Sequence, residues 1–250
     1  GPYTCYACRK PFTVKIGTIF EKSHIPMHIW LQAMFLIASS KKGISSNQLH
    51  RTLGITLKSA WFMSHRIREA MFDTGKPPMG GGGGRVEADE TWFGLKDGHE
   101  QTQGQQGQKH LNAIVSLIDR ETGEARSFVV DKVSMDEVSK VLRANIAKEA
   151  RVLTDAARYY DWVSYGFDGG HGRVDHSKNE WVSRVDPIDH TNTVEGYYSI
   201  FKRGMRGTYQ HCSTAHLHRY VAEFDFRYTN RVRLGVDDEA RFGKIVDGVS

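Results

Sequence analysis

The sequence predicts an α/β fold in which a mixed sheet flanked by helices follows a small helical region. Two features of the chain lead to this prediction. Residues 1 to about 75 are rich in helix formers, and the stretch Gly75–Arg85 then interrupts regular structure with two adjacent prolines and five consecutive glycines. Beyond it, three strand-like segments, a helix and a fourth strand follow in order, an arrangement that few folds have.

Composition argues against membrane-spanning and secreted proteins. With 250 residues and 39% hydrophobic content, the chain is long enough to bury a core. The apolar run Met27–Ala38 is too short to span a bilayer and carries His28 and Gln32, so we expect a buried helix and no membrane contact. Three cysteines and no visible secretory signal fit a reducing cytoplasm, and the isolated Cys212 is interpreted as a buried or incidental thiol.

Positive charge is clustered along the chain. Lysine and arginine (34) exceed aspartate and glutamate (29), which gives a formal net charge of +5. Basic residues crowd at Lys41–Lys42, Arg51–Arg68 and Lys202–Arg206, whereas carboxylates dominate Glu87–Glu90 and Asp237–Glu239. Such clusters suit a DNA backbone, because each neutralised phosphate releases counterions; a solvated helix face is the alternative.

The basic segment near the start of the chain predicts two short helices separated by a turn. The first covers Ser46–Leu53 and ends at Gly54, and the second begins near Thr56. Apolar residues between them suit a helix-turn-helix, whose second helix enters the major groove of double-stranded DNA; a plain helical hairpin is the alternative. The residues that we expect to contact bases or phosphates here are Thr56, Lys58, Ser59 and Arg66.

Beyond the glycine run, strand formers alternate with one helical segment. Ser134 is placed to cap that helix, with Glu137 three residues further on in capping-box spacing. The turn between the second and third strands suits a hairpin, and the glutamine-rich stretch Gln101–Gln108 suits a surface loop. The predicted strands are Arg85–Gly94, Asn112–Arg120, Ala125–Lys132 and Arg151–Asp155, and the predicted helix is Ser134–Ala150.

Acidic residues fall where these strands can bring them together. Asp89 lies in the first strand and Asp155 ends the fourth, so both carboxylates can emerge at one rim if the two strands are neighbours. A strand-end aspartate is otherwise a turn former or a helix cap. Strand alternation places Glu87 on the face of Asp89 and Glu90 on the opposite face, and both are candidate accessory acids.

A helix that begins near Thr193 would add Glu195 to the same rim. Carboxylates that converge without Cys or His form the oxygen-rich site that Mg²⁺ and Mn²⁺ prefer, and two such ions support in-line phosphoryl transfer. Lys202 follows Glu195 by seven positions, so both side chains lie on one helix face, two turns apart. The aromatic residues between them are predicted to pack in the core and not to stack on bases: Tyr197, Tyr198 and Phe201.

Three blocks of the chain resemble a known family. "VEADETWFG", "VLTDAARYY" and "HTNTVEGYYSIFKRGMRG" are similar to the blocks of bacterial insertion-sequence transposases of the DDE superfamily, in the ISXO2-like group. The resemblance continues through Ala215–Arg231 and upstream through Lys41–Met71. It implies an RNase H-like catalytic domain that cuts and joins transposon DNA with a divalent metal, Mg²⁺ or Mn²⁺, and that works as a homodimer or a larger complex.

The resemblance also implies roles for individual residues. Asp89 and Asp155 match the two aspartates of the family, and Glu195 matches the third acid. Related groups use an asparagine as third ligand, so Asn192, one helical turn earlier, is the alternative. Lys202 matches the basic residue that contacts the phosphate beside the cleaved bond. The basic residues expected to bind DNA at this end are Lys202, Arg203 and Arg206.

A Cys-x-x-Cys pair at the start of the chain suggests part of a zinc site. Similar transposases carry a zinc ribbon here, and its first ligand pair would precede residue 1, so the chain, which opens on Gly-Pro, is expected to be truncated. Cys5 and Cys8 supply two of the four ligands that a structural Zn²⁺ needs, which makes zinc binding doubtful, and His24 and His28 are weak substitutes. A redox motif is disfavoured, because no thioredoxin-like pattern follows.

The predicted organisation has five parts. They are a partial zinc ribbon (1–20), a helix-turn-helix region (21–75), a glycine-rich linker (76–85), an RNase H-like catalytic domain (86–235) and a C-terminal tail (236–250). The predicted function is that of a DNA transposase in the bacterial cytoplasm, at the nucleoid. The alternatives are a structure-specific nuclease with the same fold and a transposase-derived DNA-binding regulator that does not cut.

Overall fold

The computed structural model describes residues 2–72, 75–99, 107–175, 178, 182–183 and 186–249. Most of the predicted loop Gln101–Gln108 lies outside these residues. The chain begins with a two-stranded antiparallel hairpin, followed by three helices. The hairpin strands are β1 (Tyr3–Thr4) and β2 (Pro11–Phe12), and the helices are α1 (Met27–Ser39), α2 (Ser46–Leu53) and α3 (Leu57–Glu69).

Helices α2 and α3 lie where the sequence predicts them. The Ser45 hydroxyl accepts a hydrogen bond from the Gln48 amide at 3.2 Å and caps α2. Gly54 ends this helix in the left-handed region (φ 64°), which a glycine adopts at little cost. The Thr56 hydroxyl then caps α3 by accepting from the Ser59 amide at 3.1 Å. Local capping chemistry therefore defines the turn between the two helices.

A five-stranded mixed sheet follows, with strand order β5-β4-β3-β6-β7. Neighbours β3, β4 and β5 pair antiparallel, whereas β3 pairs parallel with β6 and β6 with β7. The first and fourth strands of the second region, β3 and β6, are neighbours, which is the condition for a shared rim of Asp89 and Asp155. The sheet strands are β3 (Arg85–Leu95), β4 (Leu111–Asp119), β5 (Ala125–Val130), β6 (Arg151–Asp155) and β7 (His171–Val174).

Helices cover both faces of this sheet, so the chain has the predicted α/β architecture of a mixed sheet flanked by helices. One core packs α4 against the sheet, and another packs α6 and α7 against its other face. A π-helical turn, Met205–Tyr209, continues α6. In the described part of the chain, no helix is both long and apolar enough to cross a membrane. The helices are α4 (Met135–Asn145), α5 (Val163–Gly166), α6 (Asn192–Gly204), α7 (Thr214–Thr229) and α8 (Asp238–Asp247).

Two segments differ from their predicted structure. Helix α4 is capped by Ser134 as predicted, but it ends at Asn145, because Ile146 is extended and forms a bridge with Met79. The predicted tail 236–250 contains α8, which is capped by Asp237 and buries Ile245 in a core shared with α1 and α3. The C-terminal residues therefore belong to the packing of the N-terminal helices.

A buried ionic cluster joins the N-terminal helices to the sheet domain. Arg68 of α3 donates through Nε to a Glu223 carboxylate oxygen of α7 at 2.6 Å, and Arg227 contacts the other oxygen at 2.6 Å. The Tyr209 hydroxyl donates to Glu223 as well. Glu223 is 0% exposed and Arg68 is 1% exposed, so the pairing takes place away from water. Burial alone would raise the pKa of Glu223, yet Arg227 and Arg68 hold it below its ordinary value.

Candidate active site

Asp89 and Asp155 lie level with each other on neighbouring strands. The parallel register of β3 and β6 pairs Arg85 with Arg151, an offset of 66 residues (151 − 85), and the same offset separates Asp155 from Asp89 (155 − 89). Carboxylate oxygens of Asp89, Glu90 and Asp155 all lie within 4.8 Å of one another. The rim that the sequence predicts for Asp89 and Asp155 is therefore present, and Glu90 also reaches it.

Glu90 reaches this rim although strand alternation places it on the opposite face from Asp89. The hydroxyls of Tyr159 and Tyr160, in the turn that follows β6, both donate to its carboxylate, Tyr160 at 3.0 Å. These bonds hold the glutamate beside Asp155. The sequence contained one signal for this contact, the "DAARYY" run directly after the strand that ends in Asp155, and the tyrosines were not predicted as site residues.

Helix α6 brings two further charges to the rim. Glu195, in its first turn, accepts a hydrogen bond from the Thr191 hydroxyl at 3.2 Å. Burial, together with the charges of Asp155 and Glu195, raises the pKa of Asp89 to about 7, against the opposing effects of a main-chain hydrogen bond from Glu90 and the charge of Lys202. Glu195 and Lys202 therefore act electrostatically on Asp89, although Glu195 is not part of the 4.8 Å group.

The aromatic residues of α6 pack the helix against β3. Tyr197, Tyr198 and Phe201 are 2%, 5% and 1% exposed, which confirms the prediction that they lie in the core. The Tyr198 hydroxyl also donates to the main-chain oxygen of Asp89 at 2.6 Å. Asn192, the alternative third ligand, is the exposed first residue of the helix.

The donor set fits a hard divalent cation. Its ligand atoms are carboxylate oxygens, and in the described residues this is the one group of at least three acidic, His or Cys side chains close enough to share an ion. Burial and the charges of Asp89 and Asp155 raise the pKa of Glu90 to about 8. A cation at the rim would offset this accumulation of half-buried negative charge.

The residues predicted to contact DNA through α3 are partly engaged within the protein. The hydroxyls of Thr56 and Ser59 hydrogen-bond to each other at 2.9 Å as part of the helix cap. Arg66 donates to the main-chain oxygen of Ile19 at 2.8 Å. Lys58 is exposed at the start of the helix. At the end of α6, Arg203 and Arg206 are also exposed.

The cysteines stand apart from this site. Cys5 and Cys8 lie on the turn of the N-terminal hairpin, and hydrogen bonds from the main chain and side chain of Cys8 lower the pKa of Cys5. Over the described ranges, neither belongs to a group of three metal-ligating side chains, so His24 and His28 do not complete a zinc site there. Burial raises the pKa of the half-buried Cys212 to about 12, which fits an unreactive thiol.

Comparison with known proteins places this site in a family. The model of the ISXO2-like transposase domain matches residues 82–229, which include both aspartates and Glu195. An uncharacterised protein of the transposable element ISH50 from Halobacterium salinarum is 27% identical over 240 residues, which cover 90% of this chain and 77% of the relative.

Two solved structures show a distant likeness. The HTLV-2 integrase catalytic core domain in complex with magnesium aligns with a TM-score of 0.34 and 11% identity, over 58% of this chain and 83% of its own. The Mos1 strand transfer complex aligns with a TM-score of 0.31 and 11% identity, over 88% of this chain and 77% of its own. Family assignment rests on the sequence match: because the family model spans more than half of the chain, this protein belongs to the ISXO2-like transposase domain family.

Proposed function

We propose that the protein is a DNA transposase that catalyses metal-dependent cleavage and strand transfer at transposon ends. The observation that carries the proposal is the closeness of the Asp89 and Asp155 carboxylates on neighbouring parallel strands, inside the matched family domain. A non-cutting DNA-binding protein has no use for three converging acids. The negative charge of the half-buried rim supports a role in which divalent cations neutralise it and bring a phosphodiester to the acids.

Asp89, Asp155 and Glu195 would hold Mg²⁺ or Mn²⁺, with Asn192 as the alternative to Glu195 and Glu90 as an additional acid. When bound, such ions activate the attacking oxygen and stabilise the leaving oxygen of a phosphoryl transfer. Lys202 would contact the phosphate beside the cleaved bond as a point charge, and its closeness to Asp89 and Arg206 supports this role. The two tyrosines would keep Glu90 oriented toward the rim.

Helices α2 and α3 would act as a helix-turn-helix that binds the terminal repeats of the element. Lys58 is exposed at the entry of α3, where a recognition helix meets the major groove, and is the residue we expect to contact DNA most directly. Because Arg66 is held by the carbonyl of Ile19, we expect it to support the helix more than to read DNA. Cys5 and Cys8 would bind Zn²⁺ only with additional ligands.

A second basic segment would continue the DNA-binding surface from helices α2 and α3 to the acidic rim. Lys41 and Lys42 are exposed in the loop between α1 and α2, and the main chain of that loop lies close to Gly204 at the end of α6. A Cβ atom on Gly204 would lie 3.1 Å from the main-chain oxygen of Lys42, and one on Gly43 would overlap the Tyr209 hydroxyl. The two glycines thus allow the lysines to approach the basic end of α6. The track would comprise Lys41, Lys42, Lys202, Arg203 and Arg206.

The double substitution Lys41→Gln/Lys42→Gln is expected to lower the affinity for DNA and to make that affinity less dependent on salt concentration. The slope of log K against log salt should become shallower by about 1 for each phosphate contact that is lost. Fluorescence anisotropy with a labelled duplex at several salt concentrations measures this slope. Lys140→Gln/Lys148→Gln, which removes two exposed lysines elsewhere, is the control and should leave it unchanged. Equal slopes for the test and control variants would contradict the track.

A strand-joining assay separates transposase from the alternative functions. Labelled terminal-repeat duplex is mixed with supercoiled target DNA and Mg²⁺, and joined products are resolved by size. A transposase yields target molecules that carry the label, whereas a structure-specific nuclease yields cut ends without joining. A DNA-binding regulator yields neither. Joining requires two ends to be held together, so we also propose a homodimer or larger complex, acting on DNA in the cytoplasm at the nucleoid.

A further inference from the structure

Glu87 is a buried acid that contacts the start of α6. Its side chain is 0% exposed, two residues before Asp89 in β3. One carboxylate oxygen accepts hydrogen bonds from the main-chain amides of Thr193 and Val194, both at 2.9 Å. These amides belong to the first turn of the helix that carries Glu195. Glu87 therefore connects the strand of one predicted ligand to the helix of another.

Arg120 extends the same connection to the segment before the helix. Its Nε donates to the second carboxylate oxygen of Glu87 at 2.6 Å. Its other nitrogens donate to the main-chain oxygens of Ile188 at 2.5 Å and His190 at 2.7 Å. Hydrogen bonds therefore connect both the segment before α6 and the first turn of α6 to the Glu87 carboxylate, directly or through Arg120.

Glu87 takes the place of a local helix cap. Thr191 is the N-cap residue of α6, but its side chain makes no capping hydrogen bond, and its hydroxyl donates to Glu195 instead. The first amides of a helix need acceptors, and a carboxylate there is further favoured by the helix dipole. A distant strand thus supplies the acceptor that a local residue supplies in α2, α3 and α4.

We propose that Glu87 is a positioning residue that sets the place of Glu195 relative to Asp89. Asp89 and Glu87 both belong to β3. A shift of α6 along this strand would therefore change the separation of Asp89 and Glu195, and it would break the hydrogen bonds from the α6 amides to Glu87. This inference rests on the proposed function, because it assigns Glu195 to the metal site. Glu87 itself touches neither DNA nor metal in this proposal, since its oxygens are occupied by Arg120 and the α6 amides.

The test is Mn²⁺ binding by the DNA-free protein, measured from the electron paramagnetic resonance signal of the free ion. Glu87→Gln keeps the size of the side chain and removes its charge pairing with Arg120. It is expected to weaken Mn²⁺ binding about tenfold, the lower end of the range for residues that orient metal ligands. In a Glu195→Gln background the same change should have no further effect. Glu121→Gln removes a half-exposed acid paired with Arg85, and this control should bind normally.

The outcomes separate this inference from the proposed function. Equal weakening by Glu87→Gln with and without Glu195 would overturn the positioning role, as would no weakening in either background. If Asp155→Asn also binds Mn²⁺ normally, the metal site of the proposed function fails instead. Should Glu87→Gln not fold, Arg120→Gln removes the same charge pairing and leaves the acceptors for the α6 amides in place. It is expected to show the same dependence on Glu195, and independence would contradict the proposal.

Discussion

Asp89→Asn is expected to abolish DNA cleavage while making the metal-free protein more stable. The substitution removes a ligand charge that the proposed ions need. A loss of several kcal/mol of transition-state stabilisation corresponds to at least about a thousandfold in rate. It also removes the half-buried carboxylate on which Asp155 and Glu195 act unfavourably in the absence of metal. Single-turnover cleavage and urea unfolding in EDTA measure the two effects.

The stability effect of Asp89 has a defined pH dependence. Its pKa is about 7 in the folded chain, above the ordinary value of 3.8, so the folded state binds this proton more tightly than the unfolded state does. Ionisation of Asp89 therefore lowers the stability of the metal-free protein as pH rises from about 4 to about 7. The advantage of Asp89→Asn in EDTA should be small near pH 4 and largest above pH 7. Saturating Mn²⁺ should favour the wild type instead, because only its site is complete. Lower stability of the variant in EDTA at pH 7.5 would contradict this electrostatic account.

Glu223→Ala is expected to destabilise the protein by about 3–5 kcal/mol, the range for breaking a buried ion pair by removing one partner. The change leaves the guanidinium groups of Arg68 and Arg227 buried without their shared carboxylate. It also removes the acceptor of the Tyr209 hydroxyl. Urea unfolding followed by tryptophan fluorescence measures the loss.

Glu69→Ala provides the matched comparison for this prediction. Glu69 pairs with Arg219 on the same helices at 2.6 Å, but its side chain is 40% exposed. Exposed ion pairs contribute about 0–1 kcal/mol to the free energy of unfolding, so the stability of this variant should be close to that of the wild type. Similar losses for the two variants would show that the Arg68–Glu223–Arg227 cluster does not behave as a buried network.

Local chemistry made much of the fold predictable. The caps of α2, α3 and α4 are Ser45, Thr56 and Ser134, polar residues placed directly before helical periodicity. The order of strand segments predicted the mixed sheet, and β3 pairs with β6 in it as a shared rim for the two aspartates requires. Strand β7 (His171–Val174) was not predicted, because four residues with one valine carry little periodic signal. Helix α8 was predicted as a tail because its role in the N-terminal core depends on distant partners.

The site was predictable where it depends on strand ends and hidden where it depends on distant contacts. The sequence placed Asp89 and Asp155 at one rim on the condition that their strands are neighbours, and β3 and β6 meet that condition. The hydrogen bond from the Thr193 amide to Glu87 joins residues 106 positions apart, and the periodicity of a local segment does not predict such a contact. That Glu90 joins the group was not predicted for a similar reason: it reaches the rim from the opposite face through contacts with the two tyrosines beyond β6.

Cleavage of a labelled duplex with candidate terminal repeats tests the central claim most directly. Wild type and Asp155→Asn are compared in Mg²⁺, Mn²⁺ and EDTA. The substitution preserves the shape of the side chain and removes the charge that would hold the metal. We expect the wild type to cut in Mg²⁺ and Mn²⁺ but not in EDTA, and Asp155→Asn to cut in none of them. Cutting in EDTA, or equal cutting by both proteins, would contradict a carboxylate-held metal site.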